Sequence, residues 1–219
     1  MINTDGEIGS FGIVSSSLNE SRIGHASVVL GNFLYVIGGF GGSVPGRLTS
    51  IERATINADG TLGPFSIVPG VALNTGRNFF SVITTDHYLY VIGGLVGSDG
   101  TGEVERATIG ADGSIGPFSP ASGLLYGRGA HASAVVGDAL YVFGGLSAEG
   151  HRGIVERAII NADGTLSEFS AIFDVMVVDA RARHTVATMG NSLYLIGGEA
   201  ELPSGQVVAL PALERADLR

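Results

Sequence analysis

The stretch that decides the fold is FLYVIGG at residues 33–39, because three close copies of it follow along the chain. The copies are YLYVIGG at 88–94, ALYVFGG at 139–145 and SLYLIGG at 192–198. The repeat period is about 53 residues, a length that is typical of propellers and similar arrays of stacked sheets. A phosphate-binding loop would need a helix after the glycines, and no helical periodicity follows any of the four pairs.

Each repeat contains four strand signals in the same order. In the first repeat they are HASVVL at 25–30, FLYVI at 33–37, IERATI at 51–56 and LGPFSIV at 62–68. Gly-Asn fits a two-residue hairpin turn after the first strand, and an Asp-Gly turn precedes the fourth. The second strand is apolar at every position, so both of its faces must be buried. We therefore expect an all-β β-propeller, in which four-stranded antiparallel blades stack on one another.

The two ends of the chain are offset from the repeats. INTDGEIGSF at 2–11 matches INADGTLGPF at 56–65, which is a turn followed by the start of a fourth strand. The last repeat finishes with LERADLR at 213–219, which matches only a third strand. We expect the N-terminal strand to close the last blade of one propeller domain of four repeats over residues 1–219.

Composition excludes several classes of function. Hydrophobic residues make up 45% of the chain and charged residues 15%, which allows a sizeable core and argues against disorder. The net charge of −9 disfavours nucleic acid and anionic membranes as partners. The absence of cysteine excludes disulfides and thiolate metal sites, and we expect no cofactor and no metal. No signal peptide or membrane-spanning stretch is recognisable, so the compartment stays unassigned.

The repeats resemble kelch repeats. The similarity lies in an Arg shortly before each first strand, the YVIGG strand with its paired glycines and the VERA strand, and it covers the whole chain four times. It implies a kelch-like β-propeller, a fold that hosts many activities. The chain departs from the family in having Arg after the third-strand Glu, where Tyr is usual, and Phe in place of Trp in the fourth strand. These residues are Arg53, Arg106, Arg157 and Arg215, and Phe11, Phe65, Phe118 and Phe169.

The number of blades in the ring is a separate question, since kelch-like propellers generally have more than four. A four-blade ring leaves wide wedges that bulky aromatic side chains would fill, yet aromatic residues make up only 7% of this chain. A flatter ring suits small residues and glycine. We therefore favour a homodimer in which two chains complete one eight-bladed ring. A self-closed four-blade monomer and a piece of a larger ring are the alternatives.

The arginine before each first strand is a candidate ligand contact. The kelch resemblance implies that first strands line a central channel, so these side chains would ring one mouth of it. A guanidinium suits carboxylate ligands because it donates two parallel hydrogen bonds. The alternative is that each arginine caps backbone carbonyls between blades. The four residues are Arg22, Arg77, Arg128 and Arg181.

The loops after the second strands are the other candidate binding elements. They differ between repeats, whereas the turns at the opposite end of the strands are nearly uniform, and divergent loops on a rigid scaffold commonly carry recognition. In a four-strand meander these loops and the arginines leave the sheet at the same end. The loop residues that we single out as ligand contacts are Arg47, Asp99, His151, Arg152 and Glu199.

Two further repeated patterns have structural interpretations. Three repeats carry a histidine at the position of Phe80, namely His25, His131 and His184. Equivalent positions on stacked sheets lie about 10 Å apart, so we expect packed histidines and no shared zinc ion. The Glu-Arg pair of each third strand is expected to form ion pairs between neighbouring blades, because adjacent strand residues point to opposite faces.

The sequence favours a non-enzymatic binding scaffold that recognises a protein or glycan ligand on the loop face around the channel mouth. No catalytic residues can be assigned, since polar residues are distributed evenly among the repeats. One alternative is a kelch-like sugar-acting enzyme of the mutarotase type, because Glu199, Glu201 and Gln206 break the repeat symmetry in the last loop. The other is a purely structural repeat segment.

Overall fold

The computed structural model describes residues 10–42 and 46–218, and all of its regular secondary structure is strand, as predicted. The repeats fold into four consecutive antiparallel sheets, which we number sheet 1 to sheet 4 in chain order. None of the described residues forms a helix long and apolar enough to cross a membrane.

Sheet 1 is built from the first repeat. Its elements are β1 (Arg22–Ile23), β2 (Ala26–Leu30), β3 (Phe33–Ile37), β4 (Phe40–Gly41), β5 (Gly46–Arg47), β6 (Ser50–Thr55) and β7 (Ser66–Ala72). The four long strands pair in the order β2–β3–β6–β7, while β1, β4 and β5 form a small separate sheet at one end. In the main register, Tyr35 lies opposite Val28 and Arg53.

Sheets 2 and 3 repeat this arrangement. The second repeat gives β8 (Ser81–Thr84), β9 (Tyr88–Ile92), β10 (Leu95–Val96), β11 (Asp99–Gly100), β12 (Val104–Thr108) and β13 (Ser119–Pro120). The third gives β14 (Ala132–Val136), β15 (Ala139–Phe143), β16 (Leu146–Ser147), β17 (Gly150–His151), β18 (Ile154–Ile159) and β19 (Ser170–Met176). Their strand orders are β8–β9–β12–β13 and β14–β15–β18–β19.

Sheet 4 has three long strands in the described part of the chain. The fourth repeat gives β20 (Thr185–Met189), β21 (Ser192–Ile196), β22 (Glu199–Glu201), β23 (Val207–Ala209) and β24 (Leu213–Asp217), with the main order β20–β21–β24. The expected closing strand falls partly on residues 1–9, which lie outside the described residues. Residues 10–21, which follow them, form no strand, and β24 pairs only with β21 among the described residues.

The second strands form the core between sheets, as their apolar sequence predicts. The strands β3, β9 and β15 are buried along most of their length. Three buried clusters join the four sheets in sequence. They include Tyr35 and Val91 between sheets 1 and 2, Tyr90 and Leu140 between sheets 2 and 3, and Phe143 and Leu195 between sheets 3 and 4.

In sheets 1 to 3 the paired glycines end the second strand at a point where the next sheet approaches closely. Gly144 and Gly145 have φ values of 59° and 106°, which L side chains rarely adopt. A Cβ on Gly144 would lie 2.6 Å from the carbonyl oxygen of Arg181 in the next sheet. The N–H of Gly145 donates to that same carbonyl at 2.7 Å. The glycine pair is therefore a contact between sheets and not a ligand loop.

Candidate binding site

The divergent loops fold back as short hairpins at one end of the sheets, which we call the loop end. Hairpins 1 to 4 are β4–β5, β10–β11, β16–β17 and β22–β23. The segment before each first strand pairs with its hairpin, as Ala182 does with Glu199. The arginine-bearing segments and the divergent loops therefore share one end of the sheets, as the meander topology predicts.

Two of the loop residues singled out from the sequence connect neighbouring hairpins. Arg47 of hairpin 1 donates from Nε to the carbonyl of Leu95 at 3.0 Å and from Nη2 to the carbonyl of Gly97, both in hairpin 2. The carboxylate of Asp99 accepts the N–H of Ala148 in hairpin 3 at 2.8 Å. This N–H, together with that of the residue after Asp99, holds the pKa of the Asp99 carboxyl below its usual range. Both side chains tie the hairpins into one surface.

The other three loop residues lie around hairpins 3 and 4. The buried imidazole of His151 has its Nε2 3.7 Å from Oε1 of Glu199 and its Nδ1 3.8 Å from Oε2 of Glu201. Arg152 points elsewhere and donates from Nη2 to the exposed carboxylate of Glu149 at 3.0 Å. The structure thus brings His151 and Glu199 together and leaves Arg152 outside this cluster.

The arginine before each first strand is buried beneath the loop end. Arg77 donates from Nε to the carbonyl of Thr75, from Nη1 to the carbonyls of Gly93 and Glu103, and from Nη2 to the carboxylates of Glu103 and Glu105. The Nη2–Oε1 distance to Glu105 is 2.6 Å. The other three sheets repeat the core of this arrangement with the pairs Arg22–Glu52, Arg128–Glu156 and Arg181–Glu214.

This geometry corrects the expectation that the repeated arginines contact a ligand. The side chains are fully buried, and all five N–H groups of Arg77 are bonded inside its own sheet, so it has no donor left for a carboxylate. The capping alternative describes them better, although the capped carbonyls belong to the same sheet and not to a neighbouring one. Buried guanidiniums with paired carboxylates are structural elements whose disruption is costly.

The expected ladder of Glu-Arg ion pairs between neighbouring sheets is wrong for the same reason. Glu52 faces Arg22 of its own sheet at 2.6 Å, and its second oxygen accepts the N–H of Asn19 at 2.7 Å. Arg53, on the opposite face of β6, stacks on the ring of Phe33 at 4.4 Å. Strand alternation correctly separates the two side chains. Glu52 is paired within its own sheet, whereas the charge of Arg53 also acts on Asp112 in the turn of sheet 2.

A cavity of about 340 Å³ lies between the segments that precede the first strands. Its lining residues are Gly24, His25, Phe79, Phe80, Ala130, His131, Arg183 and His184. Phe79, Ala130 and Arg183 have φ values of 53°, 53° and 58°, which are uncommon for residues with side chains. Backbone hydrogen bonds hold them there, because Ala130 donates to the carbonyl of Phe79 and Arg183 donates to that of Ala130, both at 2.7 Å.

Arg183 is the arginine among the residues that line this cavity. Its side chain is 49% exposed, and its guanidinium lies 5.2 Å from the ring centroid of Phe79. Its Nε donates to Oε1 of Glu199 at 2.9 Å. Among the described residues no hydrogen bond or ion pair engages Nη1 or Nη2, so the outer edge of the guanidinium is available to a carboxylate.

Sequence reasoning missed Arg183 because it followed the repeated residue. The four segments read RIGH at 22–25, RNFF at 77–80, RGAH at 128–131 and RARH at 181–184. Their first position is constant and buried, whereas the third lines the cavity and differs in every repeat. The signal in the sequence was the variation at this third position. The position differs between repeats as the loops do, whereas the framework residues stay constant.

Two of the three histidines of the cavity, His131 and His184, are packed residues as predicted, whereas the third, His25, is exposed. Burial, with the nearby Arg128 as a second cause, lowers the pKa of His131 to about 3. Burial, followed by the charge of Arg181, lowers the pKa of His184 to about 4. Nε2 of His131 lies 2.9 Å from Oγ of Ser81 in the preceding sheet. Both imidazoles are therefore neutral in the folded protein at neutral pH.

These histidines are expected to make the fold sensitive to mild acid. Their folded pKa values lie below the ordinary value of about 6.5, so the unfolded chain binds more protons and stability falls as pH falls below 6.5. The expected slope is up to about 1.4 kcal/mol per pH unit for each histidine between pH 6.5 and 4.5. The free energy of unfolding in urea should depend less on pH in the His131→Phe/His184→Phe variant, because the two imidazoles are gone. Phenylalanine should fit there, since Phe80 occupies the same position in sheet 2. An equally steep profile in the double variant would contradict this.

Comparison with known proteins adds information about the fold. No family model and no curated protein matches the sequence. Among solved structures, the chain is similar to the structure of YjhT, with a TM-score of 0.67 at 12% sequence identity. The alignment covers 93% of this chain and 71% of that chain. At this level of identity the likeness shows a shared fold and nothing about function.

Proposed function

We propose that the chain is part of a kelch-like β-propeller that acts as a non-enzymatic binding module. The four repeat sheets stack in sequence through buried second strands, and the short segments before the first strands surround a common cavity. These features support blades arranged around an axis. The kelch assignment rests on the Arg, paired-glycine and VERA motifs of the sequence.

The half-exposed guanidinium of Arg183 at the loop end is the observation that carries the binding proposal. The framework arginines are buried and paired with carboxylates, whereas Nη1 and Nη2 of Arg183 have no partner among the described residues and lie beside an apolar ring, Phe79. A carboxylate can take two parallel hydrogen bonds from that edge. An apolar or sugar-ring portion of the same ligand can pack on Phe79. The ligand that fits is a protein segment or glycan with a carboxylate.

The four hairpins supply the surrounding surface. Arg47 and Asp99 fix hairpins 1 to 3 to one another, and His151 lies between hairpins 3 and 4. A surface preorganised in this way loses little conformational entropy on binding. We therefore place ligand contacts on the hairpins around the cavity and not on the buried arginines.

A ligand screen with one variant tests this function. We would probe arrays of Asp/Glu-rich peptides and of uronic-acid oligosaccharides with the wild-type chain and with Arg183→Gln. Loss of one charged hydrogen-bond donor costs about 1.5–3 kcal/mol, which corresponds to about 10-fold to 100-fold weaker binding. The control is Arg157→Gln, an exposed arginine on β18 away from the cavity. Binding to nothing would favour a structural role, and hits that survive Arg183→Gln would place the site elsewhere.

One observation favours a sugar-acting enzyme as a second candidate. The imidazole of His151 lies within 4 Å of the carboxylates of both Glu199 and Glu201, and Glu199 also binds Arg183. Acid–base chemistry on a sugar needs such convergent groups. Interconversion of sugar anomers by the wild-type chain, lost in Glu199→Gln, would favour this enzyme over the binding module.

A further inference from the structure

We propose that a second copy of this chain docks on the outer face of sheet 4, and that residues 10–14 of one copy add to β24 of the other as a fourth strand. Two copies exchange this segment reciprocally and close one ring of eight sheets. The interface reaches the loop end where Gly198 would meet Arg22 of the second copy, but it is argued from the sheet faces and does not depend on the proposed ligand.

Sheet 4 has an apolar face that its counterparts bury. Leu213 is 64% exposed, whereas Ile51 at the same position of sheet 1 is fully buried against sheet 2. Ile196, opposite Leu213 in the register, is also exposed, whereas its counterpart Ile37 is buried. The outer face of sheet 4 thus has the chemistry of a contact between sheets but has no neighbour in the described chain.

Sheet 1 has the complementary face, which no other sheet of the described chain covers. Tyr35 donates its hydroxyl proton to the carbonyl of Gly113 in the next sheet at 2.9 Å, and Tyr90 does the same to Gly164. The corresponding turn glycine of sheet 1 is Gly60, and a Cβ built on it meets no atom within 4 Å. Tyr194 is the equivalent tyrosine of sheet 4, and its hydroxyl would donate to the carbonyl of Gly60 in a second copy.

The backbone bonds between sheets are interrupted at the same place. The N–H of Gly145 in sheet 3 donates to the carbonyl of Arg181 before sheet 4, but no equivalent bond joins Gly198 to Arg22 among the described residues. In the described part of the chain, sheets 1 to 4 therefore form an open series, with one half of the same interface at each end. Two identical chains joined head to tail satisfy both halves.

The exposed N-terminal segment fits the edge of β24, which pairs only with β21 among the described residues. Phe118 and Phe169 on the fourth-strand segments of sheets 2 and 3 are buried between sheets. The equivalent residue of the N-terminal segment is Phe11, which is 99% exposed. Between sheets 3 and 4, a cavity of about 470 Å³ beside Tyr141 and Leu193 occupies the place of that ring. We assign Phe11 of the second copy to this cavity.

The register of sheet 1 predicts which residues meet. Ser66 of β7 lies opposite Arg53 of β6, so Gly12 of one copy should lie opposite Arg215 of the other. Paired residues of antiparallel strands have Cα atoms about 4.5–5.5 Å apart, a separation that a disulfide spans. The chain contains no cysteine, so introduced thiols have no competitors.

Mixing two single-cysteine variants tests the exchange directly. Gly12→Cys and Arg215→Cys chains, mixed in equal amounts and oxidised, should give a covalent dimer on a non-reducing gel. The control mixture pairs Gly12→Cys with Ser204→Cys, an exposed position in the β22–β23 loop, and should give no more dimer than either variant alone. The double variant Gly12→Cys/Arg215→Cys tests for a cross-link within one copy. If this variant cross-links within one copy and the mixture of single variants gives no dimer, the proposal is overturned.

Native mass provides an independent readout on the full chain. We expect twice the 22.4 kDa mass of one chain. Phe11→Asp should reduce it to the mass of one chain, while Phe173→Asp, at an exposed phenylalanine on β19, should leave it unchanged. A wild-type mass of one chain, or of three or more, would overturn the two-copy ring.

Discussion

Replacing Glu156 with alanine is expected to lower the free energy of unfolding by about 3–5 kcal/mol, because it leaves the buried Arg128 charge without its carboxylate. Both side chains are fully buried, with 2.7 Å between Nη2 and Oε1. The other carboxylate oxygen accepts the N–H of Leu125 at 2.7 Å, so the substitution also removes an acceptor from the backbone. Urea unfolding followed by far-UV circular dichroism measures the change.

The matched control is the next residue along the same strand. Arg157 is exposed, so Arg157→Ala should change the free energy of unfolding by only about 0.5 kcal/mol. A loss below about 1 kcal/mol for Glu156→Ala would mean that the buried pair does not hold the loop end together.

Gly144→Ala is expected to lower the free energy of unfolding strongly, because the glycine has a positive φ and the next sheet lies close to it. Its φ of 59° costs an alanine about 1–2 kcal/mol, and the added Cβ would lie 2.6 Å from the carbonyl oxygen of Arg181, which adds about 1–3 kcal/mol of overpacking. Gly137→Ala is the control, since its φ is 60° but its Cβ would meet nothing within 4 Å. Equal losses of unfolding free energy in the two variants would show that close approach of the sheets is not the reason for the glycine.

Much of the fold could be predicted from sequence because its signals are local. The FLYVI run at 33–37 predicts β3 with its observed bounds, and the glycines that follow mark the contact with the next sheet. The Asp-Gly turns form as expected, with the carboxylate of Asp59 accepting the N–H of Thr61. Strand pattern and turn chemistry depend on neighbouring residues, so one repeat is enough to show them.

The partners of charged side chains could not be predicted in the same way. Alternation along β6 places Glu52 and Arg53 on opposite faces, but it does not say that Arg22, 30 residues earlier in the chain, reaches Glu52 inside the same sheet. The sequence also could not predict the hairpins β10–β11 and β16–β17, because strands of two residues show no periodicity. The sequence favours Arg181 as the ligand contact and the structure favours Arg183. The sequence could not show this, because the burial of Arg181 depends on the assembled loop end.

The measurement that tests the binding site most directly is the dissociation constant of the strongest array hit, determined by calorimetry for wild type, Arg183→Gln and Arg157→Gln. We expect Arg183→Gln to bind about 10-fold to 100-fold more weakly than wild type, because its amide cannot form the bidentate charged contact. Arg157→Gln should bind like wild type. An Arg183→Gln chain that binds with the wild-type dissociation constant would contradict a site centred on the open guanidinium at the loop end.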